Sequence, residues 1–187
     1  MEEIKDWYQN FQYNEKFNQE NITKNMKLYT HFDNDKDTYI IDYICKGNKE
    51  KYLNYFYNPQ KIKEINENIE NINIIVKNKE YQIIDLILNI KTDNLSVGYM
   101  KKREKMFLEE KDKGFVIYSK NMELNNNGIL EIRKGYNVIS ISEDEGKIKI
   151  YIVIEMISNI PLIFKKIPAL IIIKTLLNLN NIRDTDG

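Results

Sequence analysis

Residues 147–182 restrict the possible folds more than any other stretch. From Lys147 to Glu155 the chain alternates, with Ile148, Ile150, Ile152 and Ile154 on one side, which is the period of a β-strand. Asn159-Ile160-Pro161 follows, and then a very apolar helix is predicted to about Ile182. Asn159 suits an N-cap and Pro161 a first turn, where a missing N–H costs nothing. A strand handing the chain to so apolar a helix implies a sheet gripping that helix. Such an arrangement can leave an oily cavity between the two, and function is expected there.

The 187 residues favour one unit, 1–187, with enough chain to bury a sizeable core. Lys plus Arg and Asp plus Glu both number 28, so the basic surplus of a nucleic-acid binder is missing and no nucleic-acid partner is expected. The lone cysteine, Cys45, cannot form an internal disulfide, and residues 1–6 hold no apolar signal core. No apolar run approaches the roughly 20 residues of a bilayer span. A cytoplasmic monomer is the expectation.

Ile4, Trp7, Tyr8 and Phe11 recur at helical spacing, which predicts an N-terminal helix over 2–20, within an N-terminal region 1–24. Strands are expected at 26–32 and 38–45, around the polar turn 33–37. Leu53, Phe56 and Tyr57 mark a helix that Pro59 ends, and 61–68 reads as a second short helix. Further strands follow at 69–77, 81–91, 97–109, 114–123, 129–133, 138–142 and 147–156, with a bulge or bend at Gly135. Short connections make this an antiparallel meander, 26–158, interrupted by helices near 48–68 and closed by a helix over 160–182. The class is α+β, with helices on one face of a curved sheet.

Three segments resemble the START (steroidogenic acute regulatory-related lipid transfer) domains of the helix-grip superfamily. Asn159-Ile160-Pro161, running on to Leu176-Leu177-Asn178-Leu179, is similar to the family's closing strand and helix. Arg103-Glu104-Lys105-Met106-Phe107 resembles its mid-sheet Arg-Asp-Phe segment, and Gly114-Phe115-Val116-Ile117-Tyr118-Ser119 the strand after it. The family's Trp-Asp after the middle helices is replaced here by Asn58-Pro59, and the lid-loop equivalent, 124–128, is short. The resemblance implies a curved antiparallel sheet wrapped around a long C-terminal helix, with an N-terminal helix and two short helices. It also implies a lipid ligand carried between membranes through transient membrane contact. A phospholipid is favoured over a sterol, with no cofactor and no covalent chemistry.

The resemblance places an acid and an arginine in the cavity, at Asp85 and Arg103. The competing reading is a cross-strand pair facing solvent. Alternation bears on the choice: an inward Arg103 takes Lys101 and Lys105 with it, and Ile84, Leu86, Leu88 and Ile90 form a more apolar face than the one carrying Asp85. Ile150, Ile152, Phe164, Ile167, Leu170 and Ile171 are expected to line the apolar part. Tyr99 and Tyr118 fall beside Arg103, either stacking on a cationic headgroup or serving as ordinary strand aromatics. Pro168 is expected to kink the terminal helix.

His31 has no metal-ligand spacing around it, and Glu143-Asp144-Glu145 reads as a solvated turn. Two other classes remain open. One is a polyketide cyclase-like helix-grip enzyme using Asp85, Glu104 or tyrosines. The other is an interaction or immunity-type module with a solid core.

Overall fold

A computed structural model describes residues 1–34, 36–92, 95–122 and 130–182. The loop 124–128 lies outside them. The elements in chain order are α1 (Glu2–Asn10), β1 (Asn18–Thr23), β2 (Met26–Phe32), β3 (Asp37–Cys45), α2 (Lys49–Tyr57), α3 (Pro59–Ile65), β4 (Ile69–Lys77), β5 (Gln82–Thr92), β6 (Leu95–Lys111), β7 (Gly114–Met122), β8 (Leu130–Asp144), β9 (Lys147–Ser158), a 3-10 turn (Leu162–Phe164) and α4 (Ile167–Asn181). Among the described residues nine strands form one sheet, ordered β1-β2-β3-β9-β8-β7-β6-β5-β4. Every sequential neighbour pair is antiparallel, and a short parallel contact joins β6 to β8. The helix-grip architecture expected from the sequence is present.

Register sorts the side chains into two faces. Ile148, Ile150, Ile152, Ile154 and Met156 of β9 share the inner face with Ile41 and Tyr43 of β3 and with Ile139 and Ile141 of β8. Over this face lie Tyr52 and Phe56 of α2 and Ile167, Ala169, Ile173, Leu176 and Leu179 of α4. Asn48 caps α2 by accepting the Glu50 amide at 2.7 Å, and Asn58 turns extended before Pro59, so α2 and α3 split as expected.

Several sequence expectations are corrected. The N-terminal helix stops at Asn10, and residues 18–23 of the region expected as helix form β1. The helical apolar spacing ends at Phe11. Beyond it the Asn14 side chain accepts the Lys16 amide at 3.0 Å, a local turn that competes with helix. The helices also do not share one face. The α1 helix lies on the outer face, where Ile4 packs with Val116, Tyr118, Tyr136 and Val138.

The terminal helix begins at Ile167, with Lys166 rather than Asn159 as its N-cap. Pro161 is extended (φ −57°, ψ 146°), and Pro168 sits in the first turn of α4 instead of kinking its middle. A proline has no N–H to give the carbonyl four residues back and clashes with it, so α-helix cannot run through 164–168 and starts afresh there. The strands expected at 129–133 and 138–142 are one strand, β8. Its pairing with β9 slips between Ile132 and Lys134, just before Gly135.

The start of α4 is latched to β3. The buried carboxylate of Asp37 accepts from the Lys165 ammonium at 2.6 Å, and the Tyr39 hydroxyl donates to the Lys165 carbonyl at 2.6 Å. Further along, Asn178 donates to the Ile65 carbonyl at 3.1 Å and Asn66 to the Thr175 hydroxyl at 2.9 Å. No described helix is long and apolar enough to cross a membrane.

Candidate functional site

Between α4 and the inner face of β5, β6 and β8 lies a cavity of about 150 Å³. Ile84, Leu86, Leu88 and Ile90 of β5 supply one wall, and Met100 and Met106 of β6 continue it. Pro168, Ile171, Ile172 and Thr175 of α4 form the roof, with Phe56 and Ile62 closing the side. Ile69 of β4, Ile132 and Ile139 of β8 and Ile154 and Met156 of β9 complete the apolar lining, and the polar part is Lys102 and Glu104 from β6, Asn137 from β8 and Asn66 before β4.

The Lys102 ammonium and Glu104 carboxylate form an ion pair inside this wall, with side chains 19% and 9% exposed. Residues two apart on a strand share a face, so the pair forms along β6 itself. Across the sheet stand Ser119 and Asn137, paired in register between β7 and β8. The Ser119 hydroxyl and the Asn137 Oδ1 are buried without a hydrogen-bond partner. A second void of about 10 Å³ sits among Lys102, Glu104, Ser119, Asn121 and Asn137. That is about the room of one water. The hollow is therefore an oily chamber with one polar wall.

The residues expected to form the site scatter. Asp85 and Arg103 do pair, in register and bidentately, at 2.6 and 2.7 Å. The Arg103 guanidinium holds the Asp85 carboxyl below its ordinary range, and the carboxylate holds the guanidinium above its own. But the pair lies on the outer face, because the cavity takes the opposite parity of both strands, Ile84 and Leu86 on β5 and Lys102 and Glu104 on β6. The placement of Asp85 and Arg103 in the cavity is therefore corrected: the outer face leaves both charges partly open to solvent, whereas the inner face would have buried Lys101 and Lys105 too.

Tyr99 is exposed on the same outer side. Tyr118 packs under α1 and donates to Glu109 at 3.0 Å, and burial with that carboxylate pushes its phenol up. Neither tyrosine reaches the cavity lining. Ile150 and Ile152 point inward, but into the solid half of the core, with no exposure. Ile167 is buried there as well, and Phe164 packs at its edge. Leu170 is 46% exposed on the far side of α4. Of the ten expected residues, Ile171 is the one that lines the cavity.

The polar wall of Lys102, Glu104, Ser119 and Asn137 was missed, apart from Glu104 as an acid–base candidate. Its signal was the parity of Met100, Met106 and Leu108, three apolar residues that place Lys102 and Glu104 inward between them.

Neither a protein-family model nor a curated protein sequence matches the chain. Solved structures do. A STAR-related lipid transfer protein fragment from Xanthomonas axonopodis superposes with a TM-score of 0.71 at 10% identity, over 89% of this chain and 97% of that one. Human StAR-related lipid transfer protein 5 gives 0.71 at 11% identity, over 96% and 90%. The Zhui aromatase/cyclase from Streptomyces gives 0.56 at 8% identity, over 78% and 90%. The chain has the helix-grip fold of the START domains.

Proposed function

We propose that this protein binds one lipid-like molecule in the cavity beneath α4 and carries it between membranes without covalent chemistry. The observation that carries the reading is the cavity itself: an apolar chamber inside a fold shared with lipid transfer proteins. Each buried methylene contributes roughly 0.8 kcal/mol, so burial alone holds an apolar guest. A solid interaction module has no use for such a hollow. A charged pair facing the guest would favour a phospholipid headgroup, and the place of Asp85 and Arg103 on the outer face removes that support.

A cyclase-like reading has one observation in its favour. Lys102 and Glu104 put a titratable pair against the cavity, within a fold that aromatase/cyclases share. It would require turnover of a small aromatic substrate.

Native mass spectrometry of the purified protein, with vesicle-to-vesicle transfer of labelled sterol, phospholipid and single-chain lipids, tests the carrier reading. A co-purified lipid and measurable transfer are expected. Ile171→Asp, which puts a charge in the cavity roof, lowers transfer at least about 10-fold, whereas Leu170→Asp on the exposed side leaves it nearly unchanged. Folded protein that neither holds nor transfers any of these lipids overturns the proposal.

A further inference from the structure

We infer that the cavity takes a compact alcohol or phenol, with its hydroxyl against Asn137 and its buried part about the size of one ring, rather than a two-chain phospholipid. This rests on the carrier reading only in needing the chamber to admit a guest.

Size is the first argument. A dry apolar cavity of roughly 150 Å³ accommodates benzene, and drug-sized ligands occupy roughly 300–1,000 Å³. The chamber here is about 150 Å³. Two acyl chains do not fit it, and one ring with a short tail does.

Unmet hydrogen bonding is the second. Lys102 and Glu104 neutralise each other's charge, and the ammonium keeps further N–H donors. Asn137 Oδ1 and the Ser119 oxygen are buried without partners, a cost of about 1–3 kcal/mol each unless something supplies them. Asn137 lines both the large chamber and the water-sized void, so its side chain stands at the junction of the two. Oδ1 only accepts, so the guest must donate, and a hydroxyl can. The same hydroxyl oxygen can accept from the Lys102 ammonium, which lines the same wall. A water in the small void reaches Ser119. A ketone or an alkane leaves Asn137 unpaired.

The remaining grooves lack such a signal. The one lined by Lys24, Lys27, Lys46 and Lys147 also holds Asp42, and none of its residues carries a buried unpartnered polar side-chain atom.

The test compares 4-propylphenol, propylbenzene and dioleoyl phosphatidylcholine by calorimetry and native mass spectrometry. Isoleucine methyl shifts locate the guest. The phenol is expected to bind about 10-fold more tightly than propylbenzene, the worth of one well-made hydrogen bond. It should move the methyls of Ile84, Ile139 and Ile171 and leave those of Ile150 and Ile152 still. Asn137→Leu removes the preference for the hydroxyl, and Ser119→Ala, a milder change, reduces it. If Asn137→Leu does not fold, Ser119→Ala and the shift map decide.

Equal binding of phenol and propylbenzene overturns the inference, as does a preference that survives both substitutions. One phosphatidylcholine bound per chain in place of the phenol also overturns it, while leaving the carrier reading intact. Folded protein that takes none of the three overturns the inference, while the carrier reading is decided by the transfer of sterol and single-chain lipids.

Discussion

The two ends of the inner face are made of the same kinds of residue and are packed differently. Around β3 and the first half of β9, Tyr39, Ile41, Ile148, Ile150 and Ile152 are fully or almost fully buried and fill the space against α4. Around β5 and β6, Ile84 is buried just as deeply, yet it borders a hollow. The difference is that β6 brings Lys102 and Glu104 inward, opposite Leu86 and Ile84 of β5. A charged pair stays off the helix roof and keeps its polar wall open, whereas branched apolar chains interdigitate. Burial alone does not mark the site. Burial combined with unmet polar groups does.

Truncation should separate the two ends most strongly. Ile152→Ala, in the solid half, is expected to cost about 3–5 kcal/mol in denaturant unfolding. Ile84→Ala, already facing a void on one side, loses fewer contacts and should cost about 1–2 kcal/mol less. Equal costs would mean that the hollow is closed in solution.

The charged pairs on opposite faces of β6 give the next contrast. Glu104→Gln leaves the Lys102 charge without its counter-charge in a mostly buried wall and should destabilise by about 1–3 kcal/mol. Asp85→Asn breaks a partly exposed outer pair and should cost under about 1 kcal/mol. Reversal of that order would put Asp85 rather than Glu104 inside.

The smallest effect concerns the outer face. Lys5, then Lys111 and the Tyr118 hydroxyl, hold the Glu109 carboxyl at about 2, below its ordinary 4.5. Lys120 and Tyr136 likewise lower that of Glu3. Because these folded-state values are depressed, the contribution of these carboxylates to the docking of α1 is at full strength above about 4.5 and is lost as pH falls toward 2. Trp7, the sole tryptophan, packs 5.2 Å from Tyr136, and its emission should stay constant down to about pH 5 and move to the red below it. A constant emission down to pH 2 would show α1 held by apolar contact alone.

Much of the architecture was legible because the inner strands alternate cleanly. The isoleucines of β9 give its face outright, and Pro59 splits α2 from α3. The partnership of Asp85 with Arg103 was legible too, since their spacing suits neighbouring antiparallel strands. Their face was harder to read. Both parities of β6 carry charge, Lys101, Arg103 and Lys105 on one side and Lys102 and Glu104 on the other. Only the flanking methionines break the tie. β1 escaped because an edge strand reading Asn18-Gln19-Glu20-Asn21 is exposed on both sides and has no apolar period. The void itself has no linear signal, because it arises from which side chains fail to meet across eight elements.

The clasp between Lys165 and Asp37 bears on how a guest gets in. With its first turn bolted to β3 and its middle tied to residues 65 and 66, α4 is a poor door. Among the described residues β4 has no strand beyond it and leaves Ile74 and Ile75 open to water, and with Ile69 in the lining it is the edge panel of this chamber. Entry should then proceed by the outermost strands bowing away from a stationary helix, like a hull plank springing from a fixed keel.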